Sequence, residues 1–346
     1  MQKTIWTYFV LLLLSSSFYA CENELDVTAD WKEIAVIYGA LNPTDNIQYV
    51  RIQRAYMDES RGALLFSQES DSLYFDSLVV TLDEFENGVY NRTLSLEKVV
   101  GNEIGILKDS GIFAHNKFYL YQLKDKIWAS SYFKDYTYSL NVLNPYTGYQ
   151  ANAITIVAGQ AEVTSPINPF TDQLLISTQD KHTIICKYQE GKHVKSYDMV
   201  MDLHIEEINR ADTSIRREFT IPWKMFNSIE TRSTDGFEDA VYLVSSASFF
   251  NLLSASLEPD PKVFRRLVNY DLYLYGIAEE FYTYVNVNQP SIGIIQKKPE
   301  YTNVNNGNGI FSSRYINKFK GRNFHPSTRR ELNLSDATSD LGFVLY

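Results

Sequence analysis

The stretch YDMVMDLHIEEI, residues 197–208, constrains the fold more than any other. Tyr197, Met199, Met201, Leu203 and Ile205 recur at every second position, and between them stand Asp198, Val200, Asp202, His204 and Glu206. A period of two is the mark of a strand with one face in a core, because successive side chains of a strand point to opposite sides. Tyr136, Tyr138, Leu140 and Val142 in YTYSLNVL repeat the pattern. AVIYGAL and IQYVRIQRAY flank NPTD, whose Asn, Pro and Asp suit a type I turn, so a hairpin or tight β-connection is expected. SLVVTLDEF and YNRTLSLEKV enclose ENG, a second turn signal. Short strands at this spacing without helical periods predict a β-sandwich over residues 31–163.

TSPINPFTD, residues 164–172, carries two prolines beside Ser and Asn and is the expected linker. The remainder, 173–346, mixes classes and reads as a β-rich α+β domain with a few short helices. REFTIPWKMF is strand-like and is expected to end near Pro222. Phe249, Phe250, Leu253 and Leu257 have helical spacing and are followed by Pro259 and Pro261. RRLVNYDLYLYG is again strand-like. Ile277, Phe281, Tyr284 and Val285 predict an amphipathic helix, and Thr328 with Glu331 has the spacing of a capping box. The fold class is therefore mainly β.

The N-terminus sets the compartment. Lys3 is the one charge before Glu22, Ile5 to Leu14 is largely apolar, and Ser15, Ser16 and Ser17 follow. That order is a secretory signal over residues 1–20, and its apolar part is shorter than the about 20 residues a membrane span needs. Phe18-Tyr19-Ala20-Cys21 resembles a bacterial lipobox, with Cys21 as the lipidated residue; Phe18 and Tyr19 depart from the usual pattern. The alternative is ordinary cleavage after Ala20, which would leave Cys21 a reactive thiol. The second cysteine, Cys186, lies in an alternating run and reads as a buried small hydrophobe. Residues 21–30 read as an acidic, flexible tether. Loss of residues 1–20 takes the formal charge from −10 to −11. Such a balance speaks against a nucleic-acid partner, which calls for clustered Lys and Arg, and leaves acyl chains as the link to a membrane.

The search for chemistry is short. Asp202, His204 and Glu206 alternate and share one face, where carboxylates and an imidazole could hold a divalent cation; the plainer reading is a solvated sheet face. Gly307 and Gly309 in NVNNGNGIFSS come near a phosphate-binding glycine pattern, but Ser312 stands at its third position and a turn or bulged loop is the plainer reading. The five histidines are scattered, and neither H-E-x-x-H, C-x-x-C nor G-x-S-x-G occurs. The chain has 25 Tyr and 20 Phe, which strands favour and which exposed surfaces use for stacking. No catalytic residue and no cofactor are expected.

Several segments together carry a family resemblance: the lipobox-like start, WKEIAVIYGALNPTDNIQYVRIQRAYMDE, DSLYF, GIFAHNKFYLY, YSLNVLNPYTGYQANAITIV, QKKPEYTNVNNGNGIFSSRY and a terminal DLGF. In this order they resemble the DUF4249-type lipoproteins of Bacteroidota, over nearly the whole mature chain. The acidic residues after Cys21 also resemble the surface-export signal of such lipoproteins. The resemblance implies an immunoglobulin-like N-terminal sandwich, attachment to the outer membrane facing the cell surface, and association with a TonB-dependent β-barrel. It makes Asn303, Gly307, Gly309 and Phe311 a structural loop and supplies no catalytic residue. The expectation is a non-enzymatic accessory or binding component at the outer membrane. The alternatives are a stand-alone surface protein that binds glycan or peptide, and a hydrolase whose site is assembled across the two halves near residues 164–172.

Overall fold

Alternation governs the architecture as the sequence predicts. The computed structural model describes residues 33–55, 73–108, 117–167, 173–178, 182–289 and 300–345. The signal, the tether with Cys21, and residues 168–172 of the expected linker lie outside the described residues. The protein is mainly β.

The first hairpin joins β1 (Ile34–Leu41) to β2 (Gln48–Ala55). Asn42 organises its turn: its Oδ1 accepts the Thr44 N–H at 3.2 Å, and its own N–H donates to Gln48 Oε1 at 2.8 Å. β3 (Val79–Glu86) and β4 (Val89–Ser95) close on Asn87 and Gly88, whose φ values of 51° and 78° are those of a type I′ turn. β5 (Glu97–Val100), β6 (Tyr119–Leu123), β7 (Tyr136–Leu143) and β8 (Gln150–Ile156) complete the first half.

The second half holds β9 (Glu162–Ser165), β10 (Gln173–Leu174), β11 (Thr183–Gln189), β12 (Ser196–Asn209), β13 (Arg216–Glu230) and β14 (Asp239–Ser245). Helix α1 (Ser246–Ser256), β15 (Val263–Ile277), helix α2 (Glu279–Asn288), β16 (Val304–Asn305), β17 (Gly307–Phe324) and helix α3 (Pro326–Leu334) follow.

One sheet crosses both halves, in the order β13-β12-β15-β17-β1-β2-β6-β5, with β10 also on β17. The reason is the length of β17. Its start runs parallel to β1, pairing Gly309 with Ile37 and Phe311 with Gly39, and its later part runs antiparallel to β15. On one face of this sheet lie two cores. The first, against the sheet β16-β8-β7-β3-β4, joins Ile37, Val50 and Ile52 to Leu82, Tyr138 and Leu140, and takes Val304 and Phe311 from near the C-terminus. The second, against the sheet β14-β11-β9 and α1, joins Met199, Met201 and Leu272 to Ile184, Cys186 and Phe249. Val157 belongs to the first core and Ala158 to the second, so the cores part just ahead of the expected 164–172 linker while the sheet does not part at all.

Three local expectations are corrected. β13 passes through Pro222, because β13 is the edge strand and a missing N–H there faces no neighbour. Helix α2 buries none of its residues: Ile277 still belongs to β15, Val285 is exposed, and Tyr284 meets Tyr38 edge-on at 6.3 Å. Helix α3 opens earlier than the Thr328–Glu331 spacing suggests. Pro326 presets its first turn and His325 Nδ1 accepts the Ser327 N–H at 3.2 Å. Thr328 is thereby placed inside the helix, where its Oγ1 accepts the Ile176 N–H at 2.9 Å and donates to the Leu174 carbonyl at 3.1 Å.

Candidate functional site: an aromatic tip and an open sheet face

Two surfaces stand out. The first is built by the loop between β6 and β7. Phe133 is 82% exposed, Tyr132 67% and Trp128 43%. Tyr132 meets Phe133 edge-on at 4.9 Å and Phe237, from the loop before β14, at 5.3 Å. Trp128 stacks on Tyr136 at 6.4 Å, with the Lys126 ammonium 4.6 Å above its ring. Large apolar side chains left this open mark contact surfaces more often than cores.

The loop beneath is fixed. Asp135 accepts from Lys192 Nζ and His193 Nε2, each at 2.7 Å. Asn87 and Asp135 exchange bonds, the Asp135 N–H to Asn87 Oδ1 and the Asn87 N–H to the Asp135 carbonyl, both at 2.8 Å. Burial alone would raise the Asp135 carboxyl, but the bonds from Lys192 and His193 outweigh it and hold the group below its usual range. Deeper in, Tyr138 OH accepts the Trp128 N–H at 3.1 Å and donates to Glu84 at 2.6 Å. The tip lies where β7 begins. The other end of β7, about 25 Å away for a strand of this length, leads to Tyr149, whose hydroxyl accepts the Ala35 N–H at the start of β1. The aromatic tip and the entry of the chain at Ile34 are thus at opposite ends of the sandwich.

The second surface is the face of the long sheet turned away from the two cores, where helix α2 lies over β1 and β17 and no described element lies over Asp202, His204 and Asp271. Asp202, His204 and Glu206 do share it, as their alternation predicts, but the structure divides them. Glu206 is 3% exposed and is held by Arg216 at 3.1 Å and Arg266 at 2.7 Å, which leaves it no freedom to take a cation. His204 Nδ1 meets Thr220 Oγ1 at 3.1 Å, and its Nε2 lies 3.4 Å from Asp271 Oδ2. Asp271, which sequence reasoning missed, arrives from β15 directly opposite Asp202. Its Oδ1 accepts the Gly321 N–H at 2.7 Å and its Oδ2 the Tyr273 hydroxyl at 3.2 Å. Asp202 accepts no hydrogen bond from the described residues; burial, reinforced by Asp271 and opposed by His204, raises its pKa. Among the described residues no group of three or more His, Cys, Asp or Glu is placed to hold a metal ion.

The structural loop expected around Asn303 is a crossing between sheets. Val304 pairs with Ala153 on β8, and Gly307 pairs with Ala35 on β1. Asn306, at φ 53°, makes the corner, and its carbonyl accepts the Tyr149 hydroxyl. Gly309 has φ 106°, and a Cβ there would lie 2.0 Å from the Ile37 carbonyl oxygen. Phe311 is fully buried over Gly39.

A serine and a histidine do meet: His182 Nδ1 lies 2.5 Å from Ser246 Oγ beside a cavity of about 200 Å³. The Ser246 N–H also donates to the His182 carbonyl at 3.1 Å, so both bonds fasten α1 to the start of β11. No carboxylate of the described residues bonds the imidazole, so among the described residues the pair lacks the third member of a nucleophile–base–acid arrangement.

No protein-family model matches the chain, and no curated protein does. Among solved structures, the C-terminal globular domain of an oligosaccharyltransferase from Pyrococcus abyssi is similar at 11% identity and a TM-score of 0.22. The match covers 66% of this chain and 41% of that one, and at that score it carries no argument.

Proposed function

We propose that this protein is a lipid-anchored outer-membrane protein, exposed at the cell surface, that acts by contact rather than by catalysis. In this reading it is an accessory or binding component beside a TonB-dependent β-barrel or a surface complex. The signal, Cys21, the acidic tether and the likeness to DUF4249-type lipoproteins support the location. The aromatic tip carries the contact reading. Phe133 and Tyr132 project from a loop braced through Asp135 by Lys192 and His193, at the end of the sandwich away from Ile34. A rigid aromatic anchor of this kind fits an apolar recess in a folded partner.

The test is purification of the tagged protein from its native outer membrane, with mass spectrometry of what accompanies it. One β-barrel in near-stoichiometric amount, lost from a Tyr132→Ala/Phe133→Ala variant, is the expected result. Cys21→Ala controls for retention in the membrane. Recovery of the protein alone would overturn the accessory reading.

A further inference from the structure

Exposed apolar side chains also gather at the other end of the sandwich, where β1 begins at Ile34. Tyr146 is 83% exposed, Leu107 is 85% exposed, and Val79 is about half exposed. Strand register places all three there. Ile34 pairs with Ala55, so this end of the long sheet holds the start of β1 and the end of β2. β6 runs antiparallel to β2, and β5 antiparallel to β6, so β5 runs back toward this end and stops at Val100 beside Tyr119. The turn that follows leads directly to Leu107, with the Ile106 N–H returning to the Gly101 carbonyl at 3.0 Å. In the facing sheet, Val79 pairs with Leu143 at the end of β7, and Tyr146 sits in the turn beyond. That turn is closed by the Asn144 N–H on the Tyr149 carbonyl at 2.9 Å and by the Tyr146 N–H on Asn144 Oδ1 at 3.0 Å. Tyr149 ties it to Ala35 through its hydroxyl.

We propose that this end rests on the lipid surface of the membrane, with Tyr146, Leu107 and Val79 set into its interfacial layer. Three observations carry it. The first is chemistry. A tyrosine ring with its hydroxyl suits the boundary between water and acyl chains, and open aliphatic side chains gain by leaving water there. The second is the route of the chain. Cys21 precedes Ile34 by 13 residues, which fully extended reach at most about 45 Å. The entry end can lie on the membrane with that segment slack. The aromatic tip could do so only with the segment drawn about 25 Å along the sandwich, which costs it conformational freedom. The third is layout. The three side chains come from separate turns and from both sheets, a spread that a planar lipid surface meets and a single recess in a protein does not. Exposed charges at this end are of both signs, Asp76 and Glu103 with Lys108 and Lys117, so the attraction is apolar and does not call for anionic lipid. In this orientation Tyr132 and Phe133 point away from the membrane.

This orientation rests on the lipid-anchored reading, and the experiment lets the two fail separately. The full chain, purified from its native outer membrane, is reconstituted on vesicles of phosphatidylethanolamine and phosphatidylglycerol. Tyr146→Cys, Leu107→Cys and, at the tip, Phe133→Cys each carry an environment-sensitive fluorophore; Cys186 is buried. Flotation first shows whether the protein is held. On held protein, the labels at 146 and 107 should shift to the blue and be quenched by nitroxides on the lipid acyl chains, and the label at 133 should do neither. Vesicles of phosphatidylcholine alone should give the same pattern. Leu107→Glu/Tyr146→Glu, with the label moved to Val79→Cys, should still float but lose the quenching that Val79→Cys shows alone, and an unshifted melting curve shows that the fold survives. Protein that floats with its 146 and 107 labels unquenched overturns the orientation and leaves the anchor standing. Quenching at 133 as strong as at 146, quenching that survives the glutamates, or quenching that requires phosphatidylglycerol overturns it as well. Protein that does not float denies the anchor, and the orientation with it.

Discussion

The Asn303 side chain is bonded twice to the backbone of Phe311: Nδ2 donates to the Phe311 carbonyl at 2.6 Å, and Oδ1 accepts the Phe311 N–H at 2.9 Å. An amide side chain here does the work of a neighbouring strand. It satisfies both backbone groups of a fully buried residue at the point where the chain passes from one sheet to the other. Asn303→Ala should therefore lower the free energy of unfolding by about 2 kcal/mol, for two bonds and two groups left unpaired. Asn303→Asp should do at least as much harm, since a carboxylate cannot donate to the carbonyl. Urea unfolding at neutral pH measures both; a change within the error of the midpoint would refute the assignment.

Gly309→Ala should be worse. The residue sits at φ 106°, and its Cβ would meet the Ile37 carbonyl oxygen, a backbone atom that cannot swing aside. Conformational strain and the clash together predict a loss of about 3 kcal/mol or more, or no folded protein at all. By contrast, Gly88→Ala has nothing within 4 Å of its Cβ and bears only the cost of its φ of 78°, about 1 kcal/mol. The two melting temperatures, compared side by side, test the distinction.

Stability should fall on acidification, and two carboxylates account for part of the fall. The Glu84 side chain is fully buried, and burial alone would raise it. Bonds from Arg92 at 3.0 Å, Tyr138 at 2.6 Å and Asn91 at 2.5 Å outweigh this and hold it below its ordinary 4.5. Asp135 lies below its ordinary 3.8 for a similar reason. A depressed folded-state pKa gives stability that is complete above the ordinary value and is lost as the pH drops through the folded one. Glu84→Gln should cost about 2 kcal/mol at pH 7, because Arg92 is partly solvated and its loss of a partner is softened. The variant's melting temperature should also decline less steeply than the parent's between pH 5 and 3. Parallel acid limbs would exclude Glu84 as a contributor.

Phe133→Ala should change stability by no more than about 0.5 kcal/mol, because the ring touches little of the fold. Its effect should be on association alone. A variant that melts like the parent but no longer brings the barrel from the membrane would locate the contact at the tip; unchanged recovery would move it elsewhere.

Much of this protein was legible in the sequence, and the reason is periodicity. Alternation depends only on neighbours along the chain, so β1, β7, β12 and β15 could be read from which residues repeat at every second place. The turn at Asn87-Gly88 follows from residues that tolerate positive φ, and helix α1 from its spacing. Even the shared face of Asp202 and His204 was fixed by their separation of two. What the sequence could not supply was pairing. That β17 begins beside β1 and ends beside β15, that Asp271 comes to lie opposite Asp202, and that Phe311 fills the first core all depend on contacts between residues far apart in the chain. The same holds for exposure. Phe133 and Phe311 are the same residue type in aromatic-rich segments, yet one projects 82% into solvent and the other is buried. Local pattern decides which residues can share a face; only the assembled sheets decide which faces are covered, because covering is a property of what packs on the other side.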